Sequence, residues 1–293
     1  MAETDRQENG RALRFLYHTA PGRGVLCLLT RPGLSRLCGR FLDSRLSRGL
    51  IGGFVKKNHI CMEDYEPCAY GSFNDFFTRR IRPERRPIDS QPENLIAPCD
   101  GRLSVYAITP EAEFSIKGSR YTVDALLGGA PEAAEFDGGV CLVFRLCVDD
   151  YHRYCYFDDG EKGENHYLPG RLHTVRPIAL ERHPVFLQNC REYTLLHTRH
   201  FGLAAQIEVG ALMVGKIRNL QGSGSFARGQ EKGMFLYGGS TVVVLLQKDA
   251  VELHPALWQA TAEGRETRVR MGQCIATAVK KEKSSVPAAA GTR

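Results

Sequence analysis

Residues 229–246 read GQEKGMFLYGGSTVVVLL. The second half, from Ser240 to Gln247, is the most strongly β-patterned run of the chain, rich in the branched side chains that suit a pleated surface. Two glycines, Gly238 and Gly239, stand directly before Ser240. A Gly-Gly pair between apolar runs reads as a hairpin turn. It also reads as backbone that can approach a nucleophile closely, because glycine has no Cβ.

Working outward, short strand-like runs separated by Gly, Asn and Pro cover Gly101–Ile108, Phe114–Ile116, Val140–Val148, Gly170–Val175, Tyr193–His197, Ala204–Val209, Leu212–Ile217 and Met234–Leu236. Spacing of about ten residues predicts a β-rich barrel or sandwich. No strand–helix alternation suggests a doubly wound sheet.

The first third differs. Leu42, Leu46, Leu50, Ile51 and Phe54 recur at helical spacing, with Arg45, Arg48 and Lys56 between them, and residues 24–30 form an earlier helical piece before Pro32 and Gly33. Residues 11–60 hold ten Lys or Arg and a single acid, Asp43, while the 293-residue chain carries only +6. The basic charge thus belongs to this segment. A basic amphipathic segment suits an anionic membrane surface or a helical cap on the domain. It lacks the aromatic interleaving of a nucleic-acid platform, and no zinc-finger spacing occurs. Residues 1–10 and 280–293 are polar and expected to be disordered.

The longest apolar runs, Val25–Leu29 and Val242–Leu246, are far too short for a membrane-spanning helix. The acidic start, MAETDRQENG, lacks the basic-then-apolar pattern of a secretory signal and the acid-poor pattern of a transit peptide. Ten dispersed cysteines without Cys-x-x-Cys spacing are expected to be reduced thiols in a cytosolic compartment.

Three further clusters could carry chemistry. Phe73–Ile88, FNDFFTRRIRPERRPI, could bind phosphate, but charge runs are usually solvated, and a domain junction is the plainer reading. Asp100 lies in Ala97–Gly101, APCDG, a turn-like setting. His152 follows the strand-like run Val140–Val148 within Asp149–Arg153, DDYHR. A carboxylate, a His and a Ser can make an activated hydroxyl in any chain order. Spacing alone does not select Asp100, His152 and Ser240 from the other combinations.

Taken together these stretches resemble the pyruvoyl-dependent phosphatidylserine decarboxylase family. The resemblance lies in FNDFFTRRIRPERRPID (73–89), APCDG (97–101), DYHR (150–153), FGLAAQIEVGALMVGKI (201–217), GQEKGMFLYGGSTVVVLL (229–246) and RVRMGQCIA (268–276). It implies a proenzyme that cuts itself between Gly239 and Ser240 and turns Ser240 into a covalent pyruvoyl group. That group serves as the electron sink for decarboxylation, with no metal and no diffusible cofactor. It implies Asp100, His152 and Ser240 as catalytic residues, with Asp100 orienting His152 and His152 activating Ser240. Members of the family commonly carry a second His where this chain has Cys155, so His152 serves both steps, or Cys155 or His166 contributes.

The implied fold is α+β, mainly β: a barrel-sandwich-like β core with amphipathic N-terminal helices. Residues 11–72 form the membrane-associating segment and 73–279 the decarboxylase domain. The implied partners are phosphatidylserine, an anionic membrane surface and the two fragments of the cut chain as a heterodimer. Nucleic acid is not among them, and homo-oligomer formation stays open. The implied location is peripheral, on the cytoplasmic face of a membrane. Decarboxylation of a free amino acid, or a non-catalytic membrane-binding or carrier domain, are the competing readings.

Overall fold

The structure, a computed structural model, describes residues 11–116, 119–181, 183–211, 216–237 and 240–279. Both termini expected to be disordered, most of the strand expected over 212–217, and the expected cleavage residue Gly239 lie outside the described residues.

Five of the described α-helices come first, with shorter ones and Pro255–Ala262 lying among the later strands. The first five are α1 (Arg11–His18), α2 (Ala20–Leu29), α3 (Pro32–Leu42), α4 (Gly49–Lys57) and α5 (Phe73–Phe77). Pro32 opens α3, since an N-terminal position needs no N–H and suits its fixed φ. The single helix suggested by Leu42–Phe54 is broken by a 3₁₀ turn at Arg45–Arg48. That turn splits the apolar stripe. Leu42 is 7% exposed and packs with Phe73, Phe76 and Phe77, and Ile51 and Phe54 lie against the same cluster. Leu46, by contrast, is 83% exposed.

Everything after α5 is dominated by antiparallel strands. Five long ones are β1 (Gly101–Ala107), β2 (Val140–Leu146), β3 (Arg191–Thr198), β4 (Gly202–Val209) and β5 (Ser240–Leu246). They form the middle of a nine-stranded sheet in the order β3-β4-β5-β2-β1. The short strands Gly224–Phe226 and Gly160–Lys162 extend it beyond β3, and Thr267–Val269 extends it beyond β1. The path is open, so the described strands do not close the expected barrel. The class is α+β, mainly β. Gly170–Val175, expected as a strand, carries only an isolated bridge between Arg171 and Asn189.

The sheet is covered on both faces, which explains why β5 is apolar throughout. Alternate side chains of a strand point to opposite faces. Val242, Val244 and Leu246 enter one core with Leu142, Phe144 and Leu146 of β2. Val243 and Leu245 enter the other core with Cys141, Val143, Ile207 and Val209. The central strands are thus fixed by two cores at once. Their ends form a stable platform for side chains.

Candidate active site

Register brings the candidate residues to one end of this platform. Ser240, the first residue of β5, faces Leu146, the last residue of β2. Arg145 of β2 pairs with Arg102 of β1, so Asp100 and Gly101 arrive at that same end. Gly101 has φ +155°, and a Cβ there would stand 2.8 Å from the Arg145 carbonyl oxygen. Glycine is required because β1 starts against the backbone of β2.

The loop after β2 delivers His152. Asp150 shapes the loop: its Oδ2 accepts from the Cys147 N–H at 2.7 Å, and its own N–H donates to the Cys147 carbonyl at 3.0 Å. The Asp150 carboxyl is pushed up to about 6, mainly by burial. His152 is completely buried, and its Nδ1 lies 2.9 Å from the Asp150 carbonyl oxygen. A carbonyl can only accept, so the neutral ring carries its proton on Nδ1, and Nε2 is the basic nitrogen. The ring packs on Phe77 with centroids 4.1 Å apart. The His152 carbonyl accepts from the Phe235 N–H at 3.0 Å.

The wall around this ring comes from FNDFFT. Phe77 and Phe73 pack edge-on against Tyr237, and the Tyr237 N–H donates to Asn74 Oδ1 at 3.2 Å. Asn74 in turn donates to Asp43 Oδ1 at 2.7 Å, and the Phe73 N–H donates to Ser47 Oγ at 2.8 Å. Helix α5 therefore links the N-terminal helices to Tyr237, which lies immediately before the Gly238–Gly239 pair. This half of the motif packs between the N-terminal helices and Tyr237.

Ser240 is fully buried, and its Oγ has no hydrogen-bond partner among the described residues. Burying a hydroxyl unpaired costs about 1–3 kcal/mol. Such a group calls for an explanation, and a reactive hydroxyl is one, although the neighbouring Thr241 Oγ1 is likewise buried without a partner among the described residues.

Asp100 is held differently from the expectation. Its Oδ1 accepts from Arg86 Nε at 2.7 Å and from the Met271 N–H at 2.9 Å, and its Oδ2 pairs with Arg86 Nη2. These partners account for its carboxylate, and the His152 ring is not among them. The atom that orients the ring at Nδ1 is the Asp150 carbonyl. Asp100 still acts on the loop through space, its charge adding to the upward shift of Asp150. Arg86 is the residue missed by sequence reasoning. It sat inside a charge run that looked solvated, and only the fold reveals its buried partner.

The two substitutes considered for a second His differ. Cys155 is buried, and burial pushes its thiol up to about 12, so it stays protonated near neutral pH. His166 is exposed and stacks on Tyr193 in a short strand beside β3. All ten cysteines are free thiols.

A buried Ser at a strand start, its hydroxyl without a partner among the described residues, and a buried His with its proton on Nδ1 are the kinds of group that hydroxyl activation needs. Comparison with known sequences narrows the class. The phosphatidylserine decarboxylase family description matches residues 73–277. The chain is 42% identical over 272 residues to phosphatidylserine decarboxylase proenzyme 2 of Clostridium acetobutylicum, covering 92% of this chain and 93% of that protein. It is 39% identical to the phosphatidylserine decarboxylase proenzyme of Ruminiclostridium cellulolyticum, covering 93% of each chain. Against the proenzyme of Chlamydia muridarum it is 38% identical, covering 90% of each. The chain belongs to the phosphatidylserine decarboxylase family.

Proposed function

We propose that this chain is a proenzyme that cuts itself between Gly239 and Ser240 and then decarboxylates phosphatidylserine to phosphatidylethanolamine and CO2. The observation that carries the reading is the buried Ser240 hydroxyl at the head of β5, without a partner among the described residues.

The residues fit a group made from Ser240. In the first step Ser240 Oγ attacks the Gly239 carbonyl carbon while His152 Nε2 takes the hydroxyl proton. The Gly239–Ser240 C–N bond breaks as the C–O bond forms, giving an ester and a free amine. Loss of the Ser240 α-proton then expels the Gly239 carboxylate, and hydrolysis releases ammonia and leaves a ketone. The pyruvoyl group so formed supplies an electron sink for the pair of electrons released with CO2. Strand β5 would stay clamped between β4 and β2, which belong to the other fragment, so the cut chain holds together as a heterodimer. Phe77 packs on the His152 ring, and Tyr237 packs on Phe77.

The substrate lies in a membrane, and the helices suit contact with one. Phe15, Val25, Leu28, Leu37, Phe41, Leu46 and Leu50 are exposed on a segment rich in Arg and Lys. Exposed apolar side chains beside cations favour an anionic interface. No described helix is long and apolar enough to cross a membrane, and the contact proposed is peripheral.

Denaturing electrophoresis with intact mass tests the first step, and CO2 release from phosphatidylserine vesicles against free serine tests the second. A 54-residue fragment beginning at position 240 is expected. An uncut chain, or CO2 released equally well from free serine, would refute the reading.

A further inference from the structure

The second half of the arginine-rich motif lines a cleft of about 490 Å³ together with residues 270–274. That volume suits a small polar headgroup. The joint is built by Gly272, whose φ of +83° brings the turn so close that a Cβ would stand 2.6 Å from the Pro87 carbonyl oxygen. The Gly272 carbonyl accepts from the Asp89 N–H at 3.0 Å, and the Gly272 N–H donates to the Ala97 carbonyl at 3.0 Å. The cleft is therefore a fixed feature, formed where two distant segments are stitched together.

Its charges do not cancel. Arg85, Arg86 and Arg270 all line it. Arg86 is spent on Asp100. Asp89, the one acid in the lining, accepts from the Gln91 N–H at 2.9 Å and from Asn94 Nδ2 at 3.0 Å, with Arg228 3.8 Å away. Arg85 pairs with Asp64 at 3.1 Å in an exposed and therefore weak contact. The Arg270 guanidinium has no hydrogen-bond or ion-pair partner among the described residues, although its backbone is fixed by Gln273. The surplus is one guanidinium, with a second nearby that could turn to help. The apolar side chains of Ile88 and Met271 complete the wall.

The cleft adjoins Asp100. Arg86 and Met271, both in its lining, are the two residues that hold Asp100. The next residue, Gly101, lies against Arg145, whose neighbour Leu146 faces Ser240.

The geometry points to Arg270, assisted by Arg85, as the subsite for a phosphodiester monoanion, the headgroup phosphate of the lipid substrate. One negative charge matches the one surplus cation, and Arg offers the forked donors that phosphate oxygens accept. In phosphatidylserine the phosphate lies only a few bonds from the reacting amine, so its subsite must lie near the reaction centre, and this cleft borders Asp100, one of the residues proposed for that centre. The assignment rests on phosphatidylserine as substrate.

The test uses soluble short-chain phosphatidylserine, so that membrane attraction does not enter, and enzyme that electrophoresis shows to be fully cut. Arg270→Ala should raise KM about tenfold with kcat within twofold, the size expected for losing one charge-assisted contact. Arg270→Lys should recover much of the loss. Glycerophosphoserine should inhibit the wild type competitively and the Arg270→Ala enzyme more weakly. An unchanged KM, or a fall confined to kcat, overturns the assignment. Inhibition by inorganic phosphate that Arg270→Ala abolishes, with KM for the lipid unchanged, would also overturn it, making the cleft a site for free phosphate. Wild-type enzyme inactive on the lipid would instead refute the function proposed above.

Discussion

Arg86 grips both carboxylate oxygens of Asp100, from a motif that precedes it by fourteen positions in the chain. Asp100 is buried and the guanidinium nearly so, which places this pair among those that are costly to break. Arg86→Ala should therefore destabilise the fold by about 3 kcal/mol, since it strands a buried carboxylate. Arg86→Lys keeps the charge but loses the fork, and it should recover only part of the loss. Urea denaturation in the Ser240→Ala background, where no cut complicates the transition, measures both. A loss below about 0.5 kcal/mol for Arg86→Ala would mean that the pair does not hold this corner.

His152 and Asp100 should separate when stability and processing are followed together. His152→Ala should slow self-cleavage roughly 10²–10⁴-fold, the usual contribution of a general base. Asp100→Ala should slow it as well, but with a fall in stability, because Arg86 and the Met271 N–H lose their common acceptor. Timed electrophoresis of freshly made protein, paired with denaturation of the uncut forms, gives both readouts. Self-cleavage at the normal rate in His152→Ala would remove His152 from the role of base.

The Asp150 carboxyl gives the fold a pH dependence. In the unfolded chain it titrates near 3.9 or so, whereas burial holds it at about 6 in the folded protein. Between those values the folded state keeps a proton that the unfolded state has released. The cost of the buried charge is thus absent below pH 4 or thereabouts and fully developed once pH rises past the folded value. Asp150→Asn retains an acceptor for the Cys147 N–H and removes the charge. Its stability relative to the parent should rise across this window, by about 2–3 kcal/mol at most. Denaturation curves collected at several pH values in the Ser240→Ala background would show this. Parallel stability profiles for the two proteins would count against it.

The strongest sequence signals were those with a simple physical origin. Val242–Leu246 is apolar at every position because both faces of β5 are covered, and such a run survives any uncertainty about partners. The Gly-Gly-Ser-Thr context singled out Ser240, which the fold buries at the head of β5. Strands such as Arg153–Cys155 and Gly224–Phe226 were not, since three residues show no periodicity. The Arg86–Asp100 pair was hidden for another reason. An arginine in a charge run looks the same whether it meets water or a buried acid, and that difference is set by chain closure. Helical spacing likewise could not tell Leu42 from Leu46: the 3₁₀ turn at Arg45–Arg48 sends one into the protein and leaves the other outside.

That division decides what the N-terminal segment should do when it is altered. Leu46 and Leu50 are exposed, so Leu46→Glu with Leu50→Glu should weaken binding to anionic vesicles several-fold and leave self-cleavage unchanged. Added salt should weaken wild-type binding without abolishing it, because screening removes the attraction of the arginines but not apolar burial. Leu42 packs beside Phe73, Phe76 and Phe77, so Leu42→Ala should cost about 2–4 kcal/mol of stability and leave vesicle binding little changed. Removing residues 1–58 would take away Leu42, Ser47 and Phe54 together, and with them the packing and the Ser47–Phe73 bond that seat α5. Since Asn74 and Phe77 of α5 hold Tyr237 and His152, this truncation should slow self-cleavage as well as vesicle binding. Vesicle flotation and timed electrophoresis on the same proteins separate the two effects. A truncated protein that cuts itself at the normal rate would show that α5 keeps its place without the preceding helices.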